Sequence, residues 1–307
     1  MKSYKSLLNE AMNNSSVRKI TEEESSALKK CILSIFDDVT KICDENGLML
    51  QVGGGTCLGA VRHKGFIPWD DDIDVGMPRE DFDKYVELQK EYEGTRYFIQ
   101  TWKSDPHYIY NYAKLRDSNT TYIENFFLKH QINHGVWIDI FPIDGFDYKA
   151  GKPREKYAHL VSSVWRQSFI SYFPQMRRKF SKGTWLGDLF INLFAILTWP
   201  FDICHWRRKH TEKILTKVPF KDAEVVGNMC GTNKKKEAMP KAIYSETTKL
   251  KFEDIEVCVP KEYDQYLTLL YNDWRKLPPV EKQVGHHHDK GLSLTQGYKS
   301  YMKEHKI

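Results

Sequence analysis

Residues 68–75 read PWDDDIDV. Asp70, Asp71, Asp72 and Asp74 crowd together, and no basic residue inside the stretch offsets them. Ile67, Trp69, Ile73 and Val75 interleave with the acids, which predicts a half-buried segment rather than a solvated acidic loop. Strand side chains alternate between faces. In an extended segment Asp70, Asp72 and Asp74 therefore share one face, opposite Asp71, Ile73 and Val75. Unpaired carboxylates that close raise one another's pKa, so a half-buried acidic face calls for a cation. Mg2+ (or Mn2+) suits it, being a hard ion that takes carboxylate and phosphate oxygens together.

Two further features give that charge a purpose. Gly53, Gly54 and Gly55 precede Thr56, and a glycine turn at a helix start lets a phosphate approach backbone N–H groups. Asp139 sits inside the apolar run VWIDIF (136–141). A glycine turn after one strand, Asp-x-Asp on a second and a single Asp on a third is the arrangement of nucleotidyltransferase-fold sheets. There such acids hold one or two metal ions.

The elements that must position these residues are legible from spacing. Thr21 and Glu24 form a capping box ahead of Leu28, Ile32, Ile35, Phe36, Val39 and Cys43, which recur at helical spacing. Asn46-Gly47 ends that helix. LMLQV (48–52) predicts a short strand, 56–62 a helix, DIDVGM (72–77) a second strand, and Met77-Pro78 the start of another helix with Phe82, Tyr85, Val86 and Leu88 inward. YNYAKLR (110–116) and TTYIE (120–124) flank Asp117-Ser118-Asn119, a hairpin pattern. VWIDIF predicts a strand closed by Pro142, IEVCVP (255–260) a late strand, and 263–271 a late helix. The class expected is α/β (α+β): a nucleotidyltransferase-like mixed sheet with helices. It makes one domain over 1–307, with 150–220 a mainly helical insertion.

With 307 residues, 41% hydrophobic and 13% aromatic, the chain can bury a sizeable core. A net charge of +5 favours anionic surfaces without singling out nucleic acid, and no nucleic-acid partner is expected. Cysteines 31, 43, 57, 204, 230 and 258 form no CxxC pair, and MKSYKSLLNE has no signal-peptide core. A cytoplasmic protein is expected. WLGDLFINLFAILTWPFDICHW (185–206) is too short and interrupted for a span. Basic flanks (Arg177, Arg178 and Lys179 before, Arg207, Arg208 and Lys209 after) suit a helix lying on anionic lipid, while a buried core or dimer helix is the alternative. His286, His287 and His288 read as an exposed turn and Lys234–Lys236 as a solvated loop.

The stretch GGGTCLGAVRHKGFIPWDDDIDVGMPREDFDKY (53–85) resembles the core motif of the LicD family of bacterial phosphocholine transferases, related to fukutin and fukutin-related protein. KLRDSNTTYIE (114–124), HGVWIDIFPIDG (134–145) and YNDWRKLPPVEK (271–282) continue the match; the last is loosest, with Asn272 where the family usually has glycine. The resemblance implies transfer of phosphocholine from CDP-choline, or another phospho-alcohol from a related CDP-alcohol, to a hydroxyl of a cell-surface glycan such as lipopolysaccharide or teichoic acid, or its lipid-linked precursor. An NTP-using nucleotidyltransferase is the rival. It implies Asp72, Asp74 and Asp139 as catalytic acids and metal ligands, with Asp70 beside them. Asp139 could also be the general base, and the sequence does not separate these roles. Gly54, Gly55, Thr56, Arg62, His63, Lys114 and Arg116 are then the donor-binding candidates. Trp69, Tyr108, Tyr110, Tyr122 and Trp137 are candidates for an aromatic cage around a quaternary ammonium.

Overall fold

A computed structural model describes residues 20–124, 127, 131–147, 185, 189, 193, 203–231, 233–283 and 289–307. Helix α1 (Glu22–Glu45) begins as its sequence predicts. Thr21 Oγ1 accepts from the Glu24 amide at 3.2 Å, and Glu24 Oε2 from the Thr21 amide at 3.0 Å. The six apolar residues at helical spacing are its buried stripe. Asn46 caps the end, and Gly47 adopts a left-handed φ of +61° that costs glycine little.

The chain then builds β1 (Gln51–Val52), α2 (Gly54–His63), β2 (Asp74–Pro78) and α3 (Arg79–Glu87). Next come β3 (Tyr97–Gln100), β4 (Ala113–Asp117), β5 (Thr121–Glu124) and the long β6 (Val136–Phe146). The main mixed sheet runs β1-β2-β6-β4-β3. Only the β2–β6 pairing in it is parallel, with Asp74 opposite Asp139; β4 lies antiparallel on the other side of β6, with Lys114 opposite Asp139. After α4 (Ile203–Leu215), β7 (Val225–Gly227) extends the sheet from the far end of β6 and β8 (Met239–Pro240) pairs with β7. The short α5 (Ala242–Ser245) leads to the ribbon of β9 (Thr247–Phe252) and β10 (Ile255–Pro260), and α6 (Tyr263–Tyr271) follows. β11 (Asp289–Ser293) and α7 (Tyr298–His305) end the chain. The result is an α+β fold.

One hydrophobic core joins α1, the main sheet and the β9–β10 ribbon. A buried ion pair locks the helix after the acids to the end of the central strand: Arg79 Nε and Nη2 donate to Asp144 at 2.6 and 3.0 Å.

Two local readings need correction. The 110–124 stretch is not a paired hairpin: β4 pairs with β3 and β6, while β5 pairs with β11. The turn itself forms, Thr120 N–H bonding to Asp117 O at 3.1 Å, but the two arms diverge into separate sheets. Nor does Pro142 close the central strand, which runs on to Phe146. Pro142 sits opposite Met77 in the ladder with β2, two residues past Ile140, where the pairing of β6 with β4 ends. The strand expected over 48–52 forms only at its last two residues. Within 150–220, residues 185, 189 and 193 are helical, as is α4; the rest of that stretch up to 202, with Arg177, Arg178 and Lys179, lies outside the described residues, as do His286–His288.

Candidate active site

The acids sit where a glycine turn meets two parallel strands. Gly53 N–H bonds to Asp74 O at 2.9 Å, and Asp74 N–H donates to Thr56 Oγ1 at 2.9 Å. Gly54 N–H donates to the Tyr266 hydroxyl at 3.0 Å, so α6 braces the turn from behind. The glycines leave room for carboxylates: a Cβ on Gly55 would lie 2.9 Å from Asp70 Oδ2, and one on Gly54 3.4 Å from Asp74 Oδ2.

Asp72, Asp74 and Asp139 each bring an oxygen within 4.8 Å of the others. The strand expected from residue 72 begins at Asp74; Asp72 lies just before it, where the Asp139 N–H donates to Ile73 O at 3.0 Å, and the parallel register sets Asp139 beside Asp74. Asp70 is not in that group; it lies against Gly55 instead. Asp71 takes a hydrogen bond from the Tyr122 hydroxyl at 3.0 Å.

Lys114 completes the row. Its Nζ is 2.9 Å from Asp139 Oδ1, and the side chain is only 2% exposed. Three carboxylates and one ammonium leave two negative charges, the deficit a divalent cation neutralises. The donor set is all oxygen, which fits Mg2+ or Mn2+ and suits soft metals poorly.

The other cations have different duties. Arg62 Nε donates to His63 Nε2 at 2.9 Å, and Nη1 to the carbonyls of Trp274 and Lys276 at 2.8 and 3.4 Å. Burial, then the Arg62 charge, lowers the pKa of His63, which suits an acceptor nitrogen. Together they tie the end of α2 to the segment after α6. Arg116 is 1% exposed, with Nε on Gln100 Oε1 and Nη1 on Gly135 O, both at 2.8 Å. Neither it nor Arg62 joins the acid row directly. Thr56, buried, serves the Asp74 backbone.

The aromatic candidates divide in the same way. Trp137 already carries Lys114 Nζ at 4.0 Å and Arg116 Cζ at 4.5 Å from its ring. Tyr108 and Tyr122 are buried. Trp69 and Tyr110 remain half-buried, Trp69 edge-on to His63 and Tyr110 stacked on Tyr112 at 4.9 Å. Tyr112 in turn packs against Phe141 at 4.4 Å. Phe141 and Gly76 are register partners two positions beyond Asp139 and Asp74, so an aromatic row borders the acidic one. Sequence reading passed over Tyr112 and Phe141, although Phe141 lies two residues beyond Asp139. It also missed Tyr266, and Tyr271, whose hydroxyl is 3.8 Å from a Gly54 Cβ position. No local pattern links a helix beyond residue 260 to a turn at 54.

Comparison with known proteins bears on this geometry. Residues 47–182 match the LicD/FKTN/FKRP nucleotidyltransferase domain family. Over 276 residues, 88% of this chain and 97% of the relative, the sequence is 28% identical to the lipopolysaccharide cholinephosphotransferase LicD of Haemophilus influenzae. An uncharacterized protein of Rickettsia prowazekii is 28% identical over 118 residues, 33% of this chain and 43% of the relative.

Proposed function

We propose that this chain, whose residues 47–182 match the LicD/FKTN/FKRP nucleotidyltransferase domain family, transfers phosphocholine from CDP-choline to a hydroxyl of a cell-surface glycan or its lipid-linked precursor, releasing CMP. The observation that carries this reading is the row Asp74–Asp139–Lys114 across three adjacent strands, with Asp72 beside it and the glycine turn against it. Likeness to a cholinephosphotransferase along most of its length supports the cargo.

Phosphoryl transfer asks a protein for alignment and charge neutralisation. Asp72, Asp74 and Asp139 would hold Mg2+ or Mn2+, with Asp70 at the rim. The ion would neutralise the donor diphosphate. Gly54 and Gly55, having no side chains, let the Asp74 and Asp70 carboxylates lie close against the turn. Lys114 keeps Asp139 fixed in its rotamer and adds positive charge near the transferred group. Thr56, Arg62, His63 and Arg116 act one layer back, fixing β2, the end of α2 and the β4–β6 face. Tyr110, Tyr112 and Phe141, with Trp69 across the turn, are the accessible aromatic surface for a trimethylammonium group.

Incubation with Mg2+, a lipopolysaccharide-type acceptor and a panel of CDP-alcohols tests the reading. CMP release, fastest with CDP-choline, is expected. CMP from another CDP-alcohol would change only the cargo. Pyrophosphate from an NTP, with no CMP from any CDP-alcohol, would replace the reading with nucleotidyl transfer.

A further inference from the structure

Transfer to a hydroxyl needs a base, and Asp139 is poorly placed to be it. One of its oxygens lies 2.9 Å from the Lys114 ammonium, and the carboxylate converges with Asp72 and Asp74. It is ion-paired with Lys114 on one side, and on the transferase reading its other lone pairs would go to the metal ion.

The next carboxylate on this face is Glu124, at the end of β5. Its Oε2 lies 3.9 Å from Lys114 Nζ and 4.0 Å from Arg116 Nη2. Both separations exceed a hydrogen bond. Glu124 thus sits in the field of two buried cations that hold it without consuming its lone pairs. Its side chain is 17% exposed, whereas those of Lys114 and Arg116 are 2% and 1% exposed. Lys114 stands between the two carboxylates, linking Glu124 to Asp139.

A second observation points to the same gap. Arg116 Nη2 is buried and has no hydrogen-bond partner among the described residues. A buried donor of that kind calls for an oxygen, and the Glu124 carboxylate, at 4.0 Å, lies about 1 Å beyond hydrogen-bond distance. The groups around Glu124 are Lys114 and Arg116 from β4 and the phenols of Tyr108 and Tyr112 from the preceding loop, with Asp139 of β6 on the far side of Lys114.

We infer that Glu124 is the general base of the transfer, an assignment that rests on the transferase reading above. The acceptor oxygen enters beside Glu124 and gives it the hydroxyl proton while bonding to the donor's phosphorus. The bond from that phosphorus to the CMP oxygen breaks, and CMP departs with the electron pair. The proton then leaves Glu124 through its exposed edge. Asp139 is a metal ligand oriented by Lys114 and takes no proton. Sequence reading stopped short of this residue because Glu124 closes a block, KLRDSNTTYIE, whose cations drew the notice.

Glu124→Gln, assayed for CMP release with acceptor present, and for CDP-choline and Mn2+ binding by calorimetry, tests the assignment. The expected result is a loss of about 10²- to 10⁴-fold in kcat. Donor and Mn2+ affinity should stay within about threefold of the parent. Glu124→Asp, which keeps the charge and withdraws the oxygen, should retain part of the rate and provides a second variant if Gln impairs folding. A Gln variant with kcat within about threefold of the parent overturns the assignment. So does a rate loss that runs parallel to lost donor or Mn2+ binding, since Glu124 would then only shape the site. If the parent releases no CMP from any CDP-alcohol, the transferase reading itself fails and takes this inference with it.

Discussion

Lys114 and Asp139 are both nearly inaccessible to water, and each is tolerable only because the other is there. Removing one partner of such a pair leaves a buried charge uncompensated. Lys114→Met should therefore cost about 3–5 kcal/mol in stability, read by urea denaturation, with added Mn2+ recovering part of it. Asp74→Asn keeps the shape of the site and removes a ligand charge. It should lower CMP release by at least about a thousandfold while leaving the denaturation midpoint little changed. A third buried group behaves differently. Glu237 is 4% exposed, and burial raises its carboxyl from an ordinary 4.5 to about 7, against hydrogen bonds from Asn233 at 3.0 Å and Tyr244 at 3.4 Å. A carboxyl with a higher pKa folded than unfolded contributes stability that is complete below the unfolded value. That contribution is lost as pH rises through the folded value. Thermal unfolding followed from about pH 5 to about pH 8 should show the parent losing ground to Glu237→Gln, which cannot ionise. At this scale the acids were readable, because charge inside an apolar alternation is itself a signal, whereas Lys114 stood out only through the block KLRDSNTTYIE that resembles the family's. Arg62 and Arg116 look the same in sequence, yet apart from the neighbouring His63 their hydrogen-bond partners are backbone carbonyls and a Gln side chain contributed by other segments.

Helices declared themselves through capping and periodicity, and α1 and α6 fall where their patterns predict. Strand pairing did not. TTYIE leaves its apparent hairpin to pair with residues 289–293, a partner far along the chain that no local pattern can reveal. The glycine turn could be recognised, but not how closely acids crowd it. Gly55→Ala would push a methyl toward Asp70 Oδ2 at 2.9 Å. Donor affinity should fall with little loss of fold, as donor titration by calorimetry would show. At the end of α6, Asn272 adopts φ 61° and ψ −111°, a conformation that favours glycine. Strain of this sort costs about 1–3 kcal/mol. Asn272→Gly should raise stability by about 1 kcal/mol, measured by chemical denaturation. The family's usual glycine at this point now has a physical reason, which the sequence alone showed only as a departure from pattern.

For the molecule as a whole, the α+β class and the order glycine turn, acid pair, third acid were visible in sequence because they are consecutive. The way α6 reaches back to Gly54 was not. Among the described residues no helix is long and apolar enough to cross a membrane. Trp185, Leu189 and Leu193, spaced four apart on helix, are 54%, 36% and 49% exposed, and Trp206 is 63% exposed on α4 beside the exposed Lys209. An exposed apolar stripe with a basic neighbour predicts binding to an anionic lipid surface. Flotation with vesicles containing anionic lipid should recover the protein at low salt. Recovery at neither low nor high salt would leave the stripe to a core or dimer role.

All of these consequences depend on the three acids gripping a dication together with the donor. Titration of Mn2+ by electron paramagnetic resonance, with and without CDP-choline, tests that most directly. The account predicts one or two bound ions whose affinity rises when the donor is present and which disappear in Asp74→Asn. Mn2+ binding that is absent from the parent, or that survives unchanged in Asp74→Asn, would contradict it.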